Sequence, residues 1–463
     1  MRRRALAPIS IALALTFPWV VMWGTTSLLP WVVNAIVPGL EYGAPALVRS
    51  TSTLGTVIVT GLAVLGASFL LAWAAETAEK DVPRAFAIAV LAVLAVAPEY
   101  AVDALYAWDA GQFAGTPRGI EAGNLAVANM TGANRILIGI GWAGIALFTI
   151  YRRGSSIDPA VERRSGFLAD VVVLDRDIGL EVMFLLAATA WAFLVPLGDG
   201  IDILDMLVLV GLYVLYIAVI LRGEAEPETE HVGVPAYLQR FPKGRRIAVV
   251  LFLFAYAGGI IFTAVEPFAH GLELLGQNVG IPSFFMIQWI APLASESPEL
   301  IVVIYLVNKA RSTAGFNALI SSKLNQWTLL IGTLVVVHSL ALGQYGVLAF
   351  DFKQSAEIWL TAAQSFFAIS LLLRFQISVR EALTLLVLFL SQVVIEFVII
   401  REFVILPVTS TELLLIYTAI YVVLGTALFV RRRRSFRRLV RRTAGTVGDA
   451  MPIGGDRPRS TDD

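Results

Sequence analysis

Long apolar runs, each closed by a cluster of charge, proline or glycine, follow one another along nearly the whole chain. Twelve can be drawn, at about 7–36, 55–76, 84–107, 120–150, 179–196, 201–221, 246–266, 283–307, 315–342, 355–373, 381–400 and 412–430. A helix that crosses the hydrocarbon layer needs about 20 mostly apolar residues, and these runs are of that order. They are continuous rather than alternating, which excludes an outer-membrane barrel, whose strands switch between apolar and polar residues at every second position. In lipid every backbone amide must be bonded within the protein, and a helix satisfies its amides by itself. The pattern predicts an all-α polytopic membrane protein with about 12 spans. The first run follows Met1-Arg2-Arg3-Arg4 and carries Trp19, Trp23 and Trp31 without a small-residue cleavage site. It reads as a retained helix, not a signal peptide.

Composition agrees and removes other classes. Of 463 residues, 57% are hydrophobic and 15% charged, against about a quarter charged in soluble domains. Mean hydropathy is +0.77. Cysteine is absent, which excludes disulfides, thiolate metal sites and cysteine nucleophiles. The 35 basic and 35 acidic residues cancel, and the balance says nothing until the basic ones are sorted by loop. Arg431-Arg432-Arg433-Arg434 through Arg442 form a basic tail, and the loops that twelve spans put on its side carry Lys80, Arg84, Arg152, Arg153, Arg163, Arg164, Arg176, Arg222, Arg240, Lys243, Arg245, Arg246, Lys309, Arg311, Arg374 and Arg380. The other side holds only Arg49, Arg118, Lys353 and Arg401. The excess of positive charge on cytoplasmic loops then sets both termini in the cytoplasm of a multi-pass inner or plasma membrane. The basic tail is expected to touch anionic lipid rather than nucleic acid. Residues 443–463, rich in Gly, Pro, Asp and Arg, are expected to be disordered.

Two polar interruptions repeat. Ala97-Pro98-Glu99 lies in the third run and Ser297-Pro298-Glu299 in the eighth, 200 residues on. The runs are five apart, an odd number, so they cross the membrane in opposite directions. Each is followed by a run with a polar break, Thr131-Gly132-Ala133-Asn134-Arg135 in one half and Ser321-Ser322-Lys323-Leu324-Asn325-Gln326 in the other. Gly144 follows Arg135 by nine residues, as Gly332 follows Lys323. Matched breaks in oppositely directed halves are the sequence sign of an inverted repeat, with the substrate site between the halves. Proline inside a span frees a carbonyl beside the carboxylate. Together they offer hard oxygen donors suited to sodium, calcium or a proton. An acid at mid-membrane is costly enough to imply function, so Glu99 and Glu299 are the leading site candidates.

At these residues the sequence resembles the sodium/calcium exchanger family of cation antiporters. Leu293-Ala294-Ser295-Glu296-Ser297-Pro298-Glu299 is similar to the family's Gly-Thr-Ser-x-Pro-Glu segment, and Ala318-Leu319-Ile320-Ser321-Ser322-Lys323 to its Gly-Asn-x-x-Gly-Ser-Asn segment. The resemblance implies two inverted repeats of five transmembrane helices, over 51–225 and 226–402. An extra helix would stand at each end, within 1–50 and 403–442. It further implies transported cations, calcium, sodium or protons, as the only ligands besides lipid, with no cofactor. The carried-over metal ligands are Glu99, Glu299, Ser295, Ser322 and Gln326, with Glu296 in a family hydroxyl position and Asn134 in a serine position. Runs two and seven would slide against the core to expose the site to each side in turn.

Several residues depart from the family pattern. Leu94-Ala95-Val96 replaces polar residues of the first repeat, and the family asparagine becomes Arg135 in one half and Lys323 in the other. The first repeat has 36 residues between Glu99 and Arg135 against 24 between Glu299 and Lys323, the excess falling in an expected loop around Trp108–Gly119. Arg135 and Lys323 are read as charge partners of a facing glutamate or as proton-coupling groups, the alternative being snorkelling at a broken helix end. Asp103, four residues after Glu99, shares its helix face and is a candidate for the ion path. Glu396 is expected to pair with Gln392 or face a second copy, His338 to be a core residue, and His231 and His270 to lie in loops. The chain is expected not to be an enzyme. Two rival readings are a transport-inactive or regulatory relative whose site Arg135 and Lys323 fill, and an intramembrane enzyme.

Overall fold

The apolar runs fold as helices because no polar periodicity competes with the helix and no water is present to bond a frayed amide. The computed structural model describes residues 2–36, 51–82, 97–152, 158–222, 233–403 and 407–450. The first helix, α1 (Arg2–Trp23), continues through a π-helical turn (Gly24–Leu28) into α2 (Leu29–Ile36). There follow α3 (Thr53–Ala78), α4 (Ala97–Gln112), α5 (Pro117–Ile136), a π-helical segment (Leu137–Trp142), α6 (Ala143–Arg152), α7 (Gly179–Ala192) and α8 (Ile203–Arg222). A short α9 (Gly233–Leu238) leads to α10 (Lys243–Val279), α11 (Ser283–Asn308) and α12 (Ser312–Asn325). A third π-helical stretch (Gln326–Leu330) precedes α13 (Ile331–Leu342), and α14 (Phe352–Leu372), α15 (Val379–Ile400), α16 (Ser410–Arg431) and α17 (Arg433–Ala450) complete the described residues.

Among the described residues eleven helical segments are long and apolar enough to cross a membrane. They coincide with every predicted run except the third, of which α4 is the described part. Residues 83–96, with Leu94-Ala95-Val96, lie outside the described residues, as do His231 and the end of the tail from 451.

Three boundaries differ from the sequence expectation. The segment around Trp108–Gly119 is mostly helix, because α4 runs on to Gln112 and α5 starts at Pro117. The short turn between them is closed by the Thr116 side chain accepting from Gly119 N, by Gly115 at φ +76°, and by an Asp109–Arg118 ion pair of 2.8 Å. Helix α10 outruns its apolar run and takes His270 into the helix, since Phe268, Ala269, Gly271 and Leu272 keep a buried face while Glu266 and His270 face outward. The tail, expected to be disordered from 443, stays helical to Ala450; Leu439 is buried, with arginines on the exposed face.

Contacts between loops sort them into two sets. On one side β1 (Val161–Glu162), β2 (Val171–Val173) and β3 (Gln376–Ser378) form an antiparallel sheet that joins the loop after α6 to the loop after α14. Asp158 accepts from Ser312, and Arg246 grips Asp81, whose carboxyl it holds below the usual carboxylate range. Arg432 reaches Glu381 and the carbonyls that end α14. On the other side Ile201 pairs with Leu348, Asn124 with Asp351, and Arg401 with the Val279 carbonyl. The two sets are those that the charge sorting separates.

Helices α3 and α10, which precede the two Pro-Glu helices, pack on each other more extensively than any other pair. Gly61 and Gly271 let Phe268 and Val57 approach closely. Helix α1 rides on this pair. Its Thr16 hydroxyl meets Tyr256 OH at 2.6 Å, Trp19 donates to Thr263, and its Ala12 carbonyl lies where a side chain at Gly66 would project.

Candidate functional site

Four segments meet at the centre of the molecule: α4 and α11, which carry the Pro-Glu pairs, and the ends of α5 and α12, which carry the polar breaks. Both breaks end in a π-helical turn, after Ile136 in one half and after Asn325 in the other. A π turn widens the helix by one residue and is a recurrent feature of functional sites. Here it begins two residues after Arg135 in one half and three after Lys323 in the other, so both halves break their helices in a similar way. Pro292 and Pro298 sit inside α11, and Pro98 opens the described part of α4.

Glu99 and Glu296 are sealed from solvent, while Glu299 is half-buried. Glu99 lies within electrostatic reach of Glu296, Glu299 and Asp103, so three carboxyls besides its own bear on one region. The Ser322 hydroxyl donates to Glu299 Oε1 at 3.0 Å and Gln326 Nε2 to Glu296 Oε1 at 2.6 Å. Tyr100 OH donates to Asn325 Oδ1 at 2.9 Å, tying the first Pro-Glu helix to the second break. Among the described residues, Glu99, Glu296 and Glu299 each keep a buried Oε2 without a hydrogen-bond donor, and Gln326 Oε1 has none either. Buried acceptors are nearly always satisfied in proteins. These donorless oxygens are the candidates for taking cations or protons. Among the described residues no three His, Cys, Asp or Glu side chains converge on one point as a ready-made metal cage. The donors are carboxyl, hydroxyl and amide in mixture.

The remaining candidates are placed differently. Ser295 donates to the Pro292 carbonyl of its own helix, at 3.3 Å, and not to a glutamate. Asn134 is occupied at both ends, its Nδ2 donating to the Met130 carbonyl at 2.8 Å and its Oδ1 accepting from Lys323 Nζ at 2.6 Å. Lys323 also stands over the Trp327 ring, with Nζ 4.2 Å from its centroid. Asp103 is buried against Asn129.

Arg135 pairs with a glutamate, but with neither Pro-Glu carboxylate. Its guanidinium turns away to Glu357 of α14, and it also donates to Gln392 of α15 and lies over the Trp289 ring. Gln392 passes the chain on to Glu396, which Ser410 and Lys353 complete at 3.0 and 3.4 Å. The expected Glu396–Gln392 pair is present at 2.8 Å. Sequence reasoning missed Glu357, although an acid near the start of the run 355–373 is the same signal that singled out Glu99. It also missed Asn129 and Tyr100, polar residues without charge that only their neighbours make significant. His338 is buried, as expected of a core residue.

Comparison with known proteins adds to this geometry. The family model described as sodium/calcium exchanger protein matches residues 51–222 and 249–398. Among solved structures, the crystal structure of the H+/Ca2+ exchanger CAX is similar at 40% identity and a TM-score of 0.75, over 94% of this chain and 99% of that one. The selenium-substituted Ca2+/H+ antiporter protein YfkE shares the fold at 14% identity and a TM-score of 0.52, over 81% of this chain and 97% of that one. No curated protein matches the chain significantly.

Proposed function

The chain belongs to the sodium/calcium exchanger family and is a multi-pass membrane cation antiporter, from which we propose that it exchanges calcium for protons by alternating access at Glu99, Glu296 and Glu299. The observation that carries this reading is the set of donorless carboxylate oxygens on Glu99, Glu296 and Glu299 at the crossing of the Pro-Glu helices. Carboxylates bind a divalent ion and a proton in competition, because protonation removes the charge that holds the metal. Exchange then needs one set of groups visited by either ion from either side, with Ser322 and Gln326 as the accompanying hydroxyl and amide donors.

Protons are favoured over sodium as the counter-ion for two reasons. Sodium sites need several neutral oxygens, and here Asn134 is committed to Lys323 while Ser295 is committed to its own helix. The likeness at 40% identity to a protein described as an H+/Ca2+ exchanger points the same way. Among the described residues the hydrogen bonds of Arg135 and Lys323 go to Glu357, Gln392 and Asn134 and not to Glu99, Glu296 or Glu299, which speaks against a site permanently filled by basic side chains. The matched family is one of exchangers, and the enzyme reading finds no support in it.

Proteoliposomes carrying the purified chain should take up calcium when a pH gradient is imposed, and a sodium gradient of equal size should drive far less. Glu299→Gln should abolish the proton-driven flux. Uptake driven by sodium and indifferent to pH would refute proton coupling, and flux that survives Glu299→Gln would refute the site.

A further inference from the structure

Asp103 and Asn129 form a second pair of buried oxygen donors, one turn of α4 beyond Glu99 towards the Phe113–Thr116 turn. Asn129 Nδ2 donates to Asp103 Oδ1 at 2.9 Å. Among the described residues no donor reaches Asp103 Oδ2 or Asn129 Oδ1, on side chains that are 0% and 2% exposed. Among the described residues no basic side chain pairs with Asp103. A carboxylate and an amide oxygen, sealed together and short of a positive partner, make an incomplete coordination shell for a hard cation.

The pair lies in a line of polar side chains. Glu99, Asp103 and Tyr106 recur at i, i+4 and i+7, which sets them on one stripe of the helix. Tyr106 OH donates to Glu273 of α10 at 2.8 Å, and Glu273 is half-buried. From that face inward the order is Glu273, Tyr106, Asp103 with Asn129, then Glu99.

The other half of the molecule lacks this step. Val303 follows Glu299 by four residues as Asp103 follows Glu99, and Asn317 precedes Lys323 by six as Asn129 precedes Arg135. Val303 is buried against Gly315, and Asn317 keeps an unpartnered buried oxygen. The amide is present in both halves and the carboxylate in one.

We propose that Asp103 and Asn129 form a staging subsite for a divalent cation between the central carboxylates and the membrane face of the Phe113–Thr116 turn, opposite the termini. The cation is captured more tightly from that face than from the other, because Asp103 stands in that half where the symmetry-related position of the other half is Val303. The subsite rests on the antiporter reading above and adds to it a difference between the two faces.

The test is the half-saturating calcium concentration measured separately on each face of proteoliposomes. One orientation is silenced with an impermeant thiol reagent at a single introduced cysteine, the chain having none of its own. Asp103→Asn should raise half-saturation about tenfold on the face opposite the termini and leave the other face unchanged. Asn129→Ala should act on the same face, and Val303→Asp should tighten the face that bears the termini. Equal shifts on both faces, or none on either, would overturn the proposal. Glu299→Gln is the control for exchange itself. If the wild type shows no Glu299-dependent flux, the antiporter reading fails on its own. The subsite is then judged by titrating calcium against the melting temperature of the purified protein in detergent. A weakened calcium midpoint in Asp103→Asn supports it, and an unchanged midpoint overturns it.

Discussion

Arg135 shows best how a residue can be conspicuous in the sequence and still have its role set elsewhere. Its charge inside an apolar run demanded a partner, because an unpaired guanidinium in lipid costs several kcal/mol. The sequence offered the Pro-Glu acids, and the structure supplies Glu357, 222 positions away. Both side chains are at most 2% exposed, so the pair is stabilising only while both members are present. Removing one partner of such a pair leaves a buried charge and costs about 3–5 kcal/mol, whereas an apolar replacement of both is often neutral. Glu357→Gln is therefore expected to lower the melting temperature strongly in detergent. Arg135→Met combined with Glu357→Met should recover most of that loss. A double variant no more stable than the single one would show that the pair does more than neutralise itself. Lys323 differs in kind, since its partner is the neutral Asn134.

At the scale of elements, the breaks in α5 and α12 combine polar chemistry with close packing. A side chain at Gly132 would collide with the Gln288 carbonyl of α11, so the glycine in the first polar break is there to let two helix backbones touch. Small residues at such crossings are the usual device for helix packing in membranes. Gly132→Ala should destabilise by about 1–3 kcal/mol, as overpacking does. Gly144→Ala, with nothing within 4 Å of the added carbon, serves as the neutral comparison. Equal melting temperatures for the two variants would contradict the packing. The Gly144 and Gly332 spacing that suggested the repeat is not matched in contacts, because Gly332 lies against Val210. The π-helical turns carry the likeness of the two breaks more directly. They were invisible in the sequence because a single wide turn leaves the apolar pattern of a lipid-embedded helix unchanged. The loop expected near Trp108–Gly119 was misjudged for a related reason. Polar residues there end the apolar run without ending the helix, and Thr116 with Pro117 restarts one at once.

For the whole molecule, the sheet of β1, β2 and β3 gathers one set of loops, and the Ile201–Leu348 and Asn124–Asp351 contacts gather the other. If the basic set faces the cytoplasm, a cysteine introduced at Ser435 should resist an impermeant thiol reagent in intact cells, and one at Tyr345 should react. The reverse pattern would invert the orientation. The sequence by itself determined the number and limits of most spans, the sorting of the loops and the identity of Glu99 and Glu299 as acids within spans. These are local properties: about 20 apolar residues make a span wherever they fold, and a loop keeps its charges whatever packs beside it. Only the tertiary structure decided which donor meets which acid, that Asn134 serves Lys323, that Arg135 turns to Glu357, and that Asp103 and Asn129 are left with oxygens to spare. Those outcomes depend on how the helices cross, and helices apolar on all sides carry little in their sequence that records which neighbour each face will meet.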